Sequence, residues 1–136
     1  CDLITWGCIG SRTAESQIHR ELASAMPMPV GFKNNTDGNA QIAINGILSA
    51  SESHNVITIN QYGQVSSLRT EGNADCHVVL RGGDNLTNYD PESIASTQEA
   101  LKRSGLSDSL IIDCSHGNSM RQHQKQASVF QSIIHQ

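Results

Sequence analysis

The feature that most limits how this chain can fold is the order of its apolar segments, which switch repeatedly between short runs and helical stripes. Leu3-Ile4-Thr5-Trp6, continuing through Gly7-Cys8-Ile9-Gly10, has the continuity of a buried strand. Thr13 then reads as a helix N-cap with Glu15 in the first turn, and Ile18, Leu22 and Met26 recur at i, i+4 and i+8. Pro27 and Pro29 end that helix, and Val30-Gly31-Phe32 forms the next strand. Thr36, Asp37 or Asn39 caps a second helix carrying Ala40, Ala43, Ile44, Ile47 and Leu48 on one stripe. Val56–Ile59 and Val65–Leu68, separated by Gln61-Tyr62-Gly63-Gln64, predict a β-hairpin over residues 56–70, inserted before the strand His77-Val78-Val79-Leu80. Asp90-Pro91-Glu92 starts a helix with Ile94 and Leu101 inward and Gly105 at its end. Leu110-Ile111-Ile112 is the fourth core strand. A last helix is expected from about Met120, with Val129, Phe130, Ile133 and Ile134 apolar near its end.

Strands alternating with helices define an α/β fold with a parallel sheet and right-handed crossovers. Runs that are apolar on successive residues fit strands buried on both faces. Two architectures remain open at this point: a flavodoxin-like open sheet, or part of a closed (β/α)₈ barrel. No Gly-x-Gly-x-x-Gly follows the first strand, which disfavours the dinucleotide-binding form of the open sheet. A complete barrel takes roughly 250 residues. At 136 residues the chain has room for about four βα units: on the barrel option it is a partial (β/α)₈ TIM barrel, a single partial domain over 1–136, and length alone leaves the two options level until the site residues are weighed.

Composition excludes several function classes. A net charge of -4 offers no general attraction for nucleic acid. The longest apolar runs are far short of the roughly 20 residues that cross a bilayer, and no basic stretch with an apolar h-region opens the chain. Opening on Cys1 and going straight into a strand pattern, the chain reads as cut from a longer polypeptide. Cys1, Cys8, Cys76 and Cys114 contain no C-x-x-C pair, and without a secretory signal they read as reduced thiols of a cytoplasmic protein.

The candidate chemistry lies just past each core strand. Arg12 follows Ile9-Gly10-Ser11, Lys33 follows Gly31-Phe32, Arg81 follows Val79-Leu80, and His116 follows Asp113-Cys114-Ser115. Carboxyl-terminal strand ends of a parallel sheet or barrel share one mouth, where ligands bind. Three cations therefore converge in an acidic chain, which suits a phosphate ester: arginine offers a bidentate fork and lysine a point charge. Gly10, and Gly82-Gly83 after Arg81, let backbone N–H groups approach oxyanions, and the helix after Arg12 aims its positive end at the same mouth. Taken singly, such a cation is more often a solvated loop charge. A lone His116 is weak evidence for a metal, which takes about three or four ligands. Cys114, two residues earlier, shares its side only if the strand continues that far. His19, His54, His77, His123 and His135 have no ligand spacing and read as structural or surface residues. No Ser/His/Asp order or carboxylate pair supports a hydrolase.

The same residues resemble a known family. Trp6-Gly7-Cys8-Ile9-Gly10-Ser11-Arg12-Thr13-Ala14-Glu15-Ser16-Gln17, Pro29-Val30-Gly31-Phe32-Lys33-Asn34 with Thr36-Asp37-Gly38, His77-Val78-Val79-Leu80-Arg81-Gly82-Gly83 with Asn88-Tyr89, and Asp113-Cys114-Ser115-His116-Gly117-Asn118-Ser119 are similar to motifs of the bacterial, aromatic-amino-acid-regulated 3-deoxy-D-arabino-heptulosonate 7-phosphate (DAHP) synthases. The departures, such as Cys8 and Ser11 for alanine and Asn35 for glycine, are conservative in size or lie in loops. The resemblance implies a (β/α)₈ barrel, of which this chain carries strands four to seven, in an enzyme of the first step of the shikimate pathway. Phosphoenolpyruvate and erythrose 4-phosphate would condense to DAHP and phosphate. Lys33, Arg12 and Arg81 would be catalytic and, with Gly10 and Ser11, would bind phosphoenolpyruvate. His116 would be one ligand of a divalent metal of the Mn, Fe, Co or Zn type, which polarises the aldehyde oxygen. The family's other ligands, a cysteine upstream and a glutamate and an aspartate downstream, have no counterpart here, and neither does the basic motif for the sugar phosphate. The isolated chain is therefore expected to be inactive. The hairpin is where the family carries part of its feedback site for an aromatic amino acid, and Leu22, Met26, Val56, Thr58 and Leu68 are the candidate regulatory residues. Another class of reading remains: a non-catalytic phosphate-binding half-barrel whose open edges pair with another chain. On either reading the exposed sheet edges predict a homo-oligomer.

Overall fold

The computed structural model describes residues 3–136, so Cys1 lies outside the described residues. The elements in chain order are β1 (Gly7–Ile9), α1 (Gln17–Ser24), β2 (Val30–Lys33), α2 (Gln41–Ser51), β3 (Asn55–Ile59), β4 (Val65–Arg69), β5 (His77–Leu80), α3 (Pro91–Arg103), β6 (Leu110–Ile112) and α4 (Gln126–Ile134), the last preceded by a 3₁₀ turn over His123–Lys125. Strands β1, β2, β5 and β6 form one parallel sheet in that order, and β3 and β4 form the expected antiparallel hairpin. The sheet order contains no reversal, the switch point that defines a doubly wound open sheet, so the flavodoxin-like option falls away. No helix among the described residues is long and apolar enough to cross a membrane.

Strand register explains where the core sits. Ile9 pairs with Phe32, Phe32 with Val78, and Leu80 with Ile112. These residues share one face of the sheet. There Ile9, Val30, Phe32, Val78 and Leu80 pack with Ala23 of α1, Ala43, Ile44 and Ile47 of α2, and Leu101 of α3. One helical layer thus covers this face. Burial of each large side chain there contributes about 1.5–3 kcal/mol. The opposite face carries Cys8, Gly31, Lys33, His77, Val79 and Ile111. It is covered only in part: a Cβ on Gly31 would meet Val79 and Trp6, whose indole N–H donates to His77 Nε2 at 2.9 Å, while Ile111 stays 41% exposed. Burial on both faces, expected from the apolar runs, is not met at β1 and β6.

Three expected boundaries are corrected. β1 begins at Gly7, and Leu3, Ile4 and Trp6 are exposed. Its one neighbour among the described residues begins at Val30, because Pro29 and Pro27 have no N–H to continue the ladder. Thr13 caps nothing; its hydroxyl donates backward to Gly10 O at 3.1 Å within a tight turn, and α1 starts after Ser16. The Gly10–Arg12 backbone, not a helix terminus, therefore stands at the strand mouth. Met120 does not open the last helix: Met120 and Arg121 have left-handed φ of 50° and 58°, which no helix admits.

The expected cap of α3 is present. Asp90 Oδ1 accepts from Ser93 N at 2.9 Å, and Asp90 Oδ2 accepts from the Ser93 hydroxyl at 2.7 Å. These bonds, the backbone one first, hold the Asp90 carboxyl below its ordinary range. Asp90→Ala is expected to cost about 1 kcal/mol at neutral pH. A lowered folded-state value means stabilisation that is present above about pH 4, the unfolded-state value, and lost as pH falls through the folded-state one. Urea midpoints of wild type and variant should converge on acidification; a gap that is the same at both ends of the range would rule out the charged cap.

Candidate functional site

The four strand tips open onto one cavity of about 690 Å³, lined by Gly10, Ser11, Arg12, Thr13, Lys33, Thr36, Arg81, Asp84, His116 and Arg121. Arg12, Lys33, Arg81 and His116, predicted from four separate strand ends, are thus brought together. Their settings differ. Arg12 is exposed in the turn after β1, Lys33 projects from the last residue of β2, and Arg81 is 5% exposed immediately after β5. His116 stands four residues past β6 with φ 52°. Because β6 stops at Ile112, the alternation that would have placed Cys114 on the side of His116 does not reach them.

Arg81 is the most unusual of these groups. Its Nε is fully buried and has no hydrogen-bond partner among the described residues, while its Nη1 donates weakly to Gly82 O at 3.4 Å. A buried guanidinium with an idle donor is costly unless an anion meets it. Among the described residues Lys33 pairs with Asp113 and Arg121 with Asp84, whereas neither Arg12 nor Arg81 has an ion-pair partner. Among the described residues, then, no carboxylate of the cavity wall offsets the charge of these two arginines.

Three buried asparagines, none predicted as a site residue, hold this wall in place. Asn34 Oδ1 accepts from Arg81 N at 2.7 Å and from Asn88 Nδ2 at 3.1 Å, and Asn34 Nδ2 donates to Gly82 O at 2.9 Å. Asn88 Oδ1 accepts from Gly82 N at 2.7 Å, and Asn118 Oδ1 accepts from Asn88 N at 2.9 Å. Asn118 N in turn donates to Arg81 O at 3.2 Å. The loops after β2, β5 and β6 are tied into one unit, with the main chain of Arg81 held on both sides.

Asp113 is a further residue that the sequence reading quoted but gave no role. Lys33 Nζ donates to its Oδ2 at 2.9 Å, and Ser115 N and Oγ donate to its Oδ1 at 2.8 and 2.6 Å. Burial alone would raise this carboxyl, but the hydrogen bonds from Ser115 and Lys33 outweigh it and hold it at about 2. Cys8, on the sheet face opposite the core, has its thiol pushed up by partial burial, an effect tempered by Lys33. The three described cysteines are free. No group of three or more His, Cys, Asp or Glu able to hold a metal occurs among the described residues. His116 is a single potential ligand, and the carboxylate nearest to it is already engaged by Lys33 and Ser115, so these residues do not make a metal site by themselves.

Of the proposed regulatory residues, Leu22, Val56, Thr58 and Leu68 line one groove of about 380 Å³ between α1 and the hairpin. Met26 lies apart from it, among the residues lining two neighbouring depressions.

A one-sided parallel α/β layer with a cation-lined cavity at the carboxyl ends of its strands defines the class of protein. The model of the DAHP synthetase I family matches residues 1–136, and the chain belongs to that family. It is 49% identical over 135 residues to the Tyr-sensitive phospho-2-dehydro-3-deoxyheptonate aldolase of Escherichia coli (strain K12), covering 99% of this chain and 38% of the relative. It is 48% identical over 135 residues to the Trp-sensitive aldolase of Enterobacter agglomerans, again covering 99% of this chain and 38% of the relative. The structure of phospho-2-dehydro-3-deoxyheptonate aldolase from Francisella tularensis SCHU S4 is similar with a TM-score of 0.93 at 42% identity, covering 98% of this chain and 39% of that one. The chain thus spans about 38% of the length of these curated relatives.

Proposed function

We propose that this chain forms the phosphoenolpyruvate-binding wall of a cytoplasmic DAHP synthase barrel, contributing strands four to seven. In the whole enzyme phosphoenolpyruvate condenses with erythrose 4-phosphate at the entrance to aromatic amino acid biosynthesis. The observation that carries this reading is the buried Arg81 guanidinium with its idle Nε, set in the same cavity wall as Arg12 and Lys33. A dianionic phosphate with a carboxylate next to it matches two forked cations and a point charge. Arg81 and Arg12 grip those two groups, and Lys33 offsets charge as phosphate departs. Gly10 and Ser11 line the same cavity and add backbone donors. His116 is the one group here suited to a divalent metal, and the remaining length of the relatives has to supply further ligands. The reaction as a whole therefore belongs to a longer assembly, and the chain on its own binds without turning over.

Calorimetric titration of phosphoenolpyruvate into the wild-type chain, Arg81→Ala and Arg81→Lys tests the reading. Wild type should bind. Arg81→Ala should lose roughly 10- to 100-fold in affinity, the worth of a charged hydrogen bond left unmade. Arg81→Lys should recover little, because an ammonium cannot fork. Absence of heat from the wild type, or equal affinity in Arg81→Ala, would remove the anion site.

A further inference from the structure

Asp113 lies one residue beyond β6, with its backbone N–H donated to Leu80 O at 2.8 Å, so its carboxylate is fixed at the edge of the sheet. Its two oxygens are divided between two tasks. Oδ1 is occupied by the backbone N–H and the hydroxyl of Ser115. Oδ2 faces two groups of the cavity wall, Lys33 Nζ at 2.9 Å and His116 Nδ1 at 2.8 Å. His116 Nδ1 also lies 2.8 Å from Ser115 Oγ. The Ser115 hydroxyl has one proton, already directed to Asp113, so toward His116 it can only accept. Both neighbours of Nδ1 are acceptors, and the ring must supply the proton. In the neutral ring His116 Nε2 is then left bare, with no partner among the described residues, on a side chain that lines the cavity.

We propose that Asp113 is a positioning residue of this site: one carboxylate oxygen fixes the His116 ring as the Nδ1–H tautomer, presenting a bare Nε2 to the cavity, and anchors the Lys33 ammonium in the cavity wall. The two groups belong to strand ends far apart in sequence, Lys33 and Asp113 lying 80 positions apart, and no other described residue bonds both. The arrangement follows a general rule: a histidine whose second nitrogen must accept or ligate has its first nitrogen held by a carboxylate. A plain counter-ion role makes the opposite prediction for anions. Removing a negative charge from an anion site should tighten binding, whereas releasing Lys33 from its anchor should weaken it.

The first test needs no variant. Histidine labelled with ¹⁵N, observed at about pH 8.5, some two units above the ordinary imidazole value, should show His116 protonated on Nδ1 and bare on Nε2, with His116→Gln identifying the signal. A proton on Nε2, in the other neutral tautomer or in the cation, overturns the proposal. In the isosteric Asp113→Asn the amide N–H₂ would face two donors, and His116 should move to the Nε2–H form that free imidazole side chains favour in water. An unchanged tautomer there also overturns it. Phosphoenolpyruvate affinity of Asp113→Asn should fall by about fivefold or more. Equal or tighter binding sinks the Lys33 half. That last arm rests on the phosphoenolpyruvate reading, while the tautomer arms do not, so a wild type that binds no ligand leaves the two failures distinguishable.

Discussion

Asn34→Ala is expected to remove about 3 kcal/mol or more of folding stability, and phosphoenolpyruvate binding with it. The side chain is fully buried, and its hydrogen-bonding capacity is used on both sides: Oδ1 takes the N–H groups of Arg81 and Asn88, and Nδ2 serves the carbonyls of Asn35 and Gly82. Alanine leaves the Arg81 N–H and the Gly82 carbonyl buried with these bonds unmade, each at a cost of about 1–3 kcal/mol. Against a typical total of about 5–15 kcal/mol this is a large share. The binding loss follows from the same bonds. The main chain of Arg81 is clamped between Asn34 Oδ1 and the Asn118 N–H, and without the first clamp the guanidinium no longer has one fixed position under the cavity. Urea unfolding gives the first number and calorimetry with phosphoenolpyruvate the second. A loss below about 1 kcal/mol with ligand heat intact would show that the asparagines only fill space.

What the sequence made legible was local. The hairpin register, with Val56 opposite Leu68 and Ile59 opposite Val65, follows from β-branched runs and a glycine turn a few residues apart. The α3 cap follows from three adjacent letters, Asp90-Pro91-Glu92. The shared rim was also legible, because parallel topology alone puts every carboxyl-terminal strand tip at one end. The groups that organise the rim were not. Asn34, Asn88 and Asn118 sit in loops, where an asparagine ordinarily faces water, and nothing periodic separates a buried amide from a solvated one. A fuller use of the available signal, an asparagine following the cation or histidine at three of the four tips, would have pointed to them. Asp113 stood in plain view within the Asp113–Ser119 motif, but its bond to Lys33 spans 80 positions and two strand pairings.

The helix stripes were legible as stripes but not as to what they face. Ile18 and Leu22 share a face as expected, yet that face is turned outward, 76% and 49% exposed, toward the hairpin groove. Ala23 is the residue of α1 that enters the core, because α1 lies close against α2 and only small side chains fit between. A period of 3.6 residues identifies an apolar side; which neighbour claims it is decided by packing far along the chain. Helix α4 makes the same point, since Val129 alone is buried while Phe130 and Ile134 remain 56% and 60% exposed.

Gly82→Ala should be the second severe substitution, and its comparison with Gly63→Ala isolates the reason. Both glycines have left-handed φ, 76° and 75°, so the backbone penalty for an L side chain is the same, about 1–2 kcal/mol. Their surroundings differ. A Cβ on Gly63 meets nothing within 4 Å, whereas one on Gly82 would lie 2.5 Å from Asn118 N and 2.6 Å from Gly117 C, main-chain atoms with little freedom to yield. Relief requires the loops after β5 and β6 to separate. That would break the bond from Asn118 N to Arg81 O and displace Asn88 Oδ1 from Gly82 N. Gly63→Ala should therefore cost about 1–2 kcal/mol and leave ligand binding unchanged. Gly82→Ala should cost at least about 3 kcal/mol and abolish binding. Equal costs in the two variants would mean that φ alone demands glycine at position 82, and that the close approach of the two loops is not what holds Arg81 at the cavity.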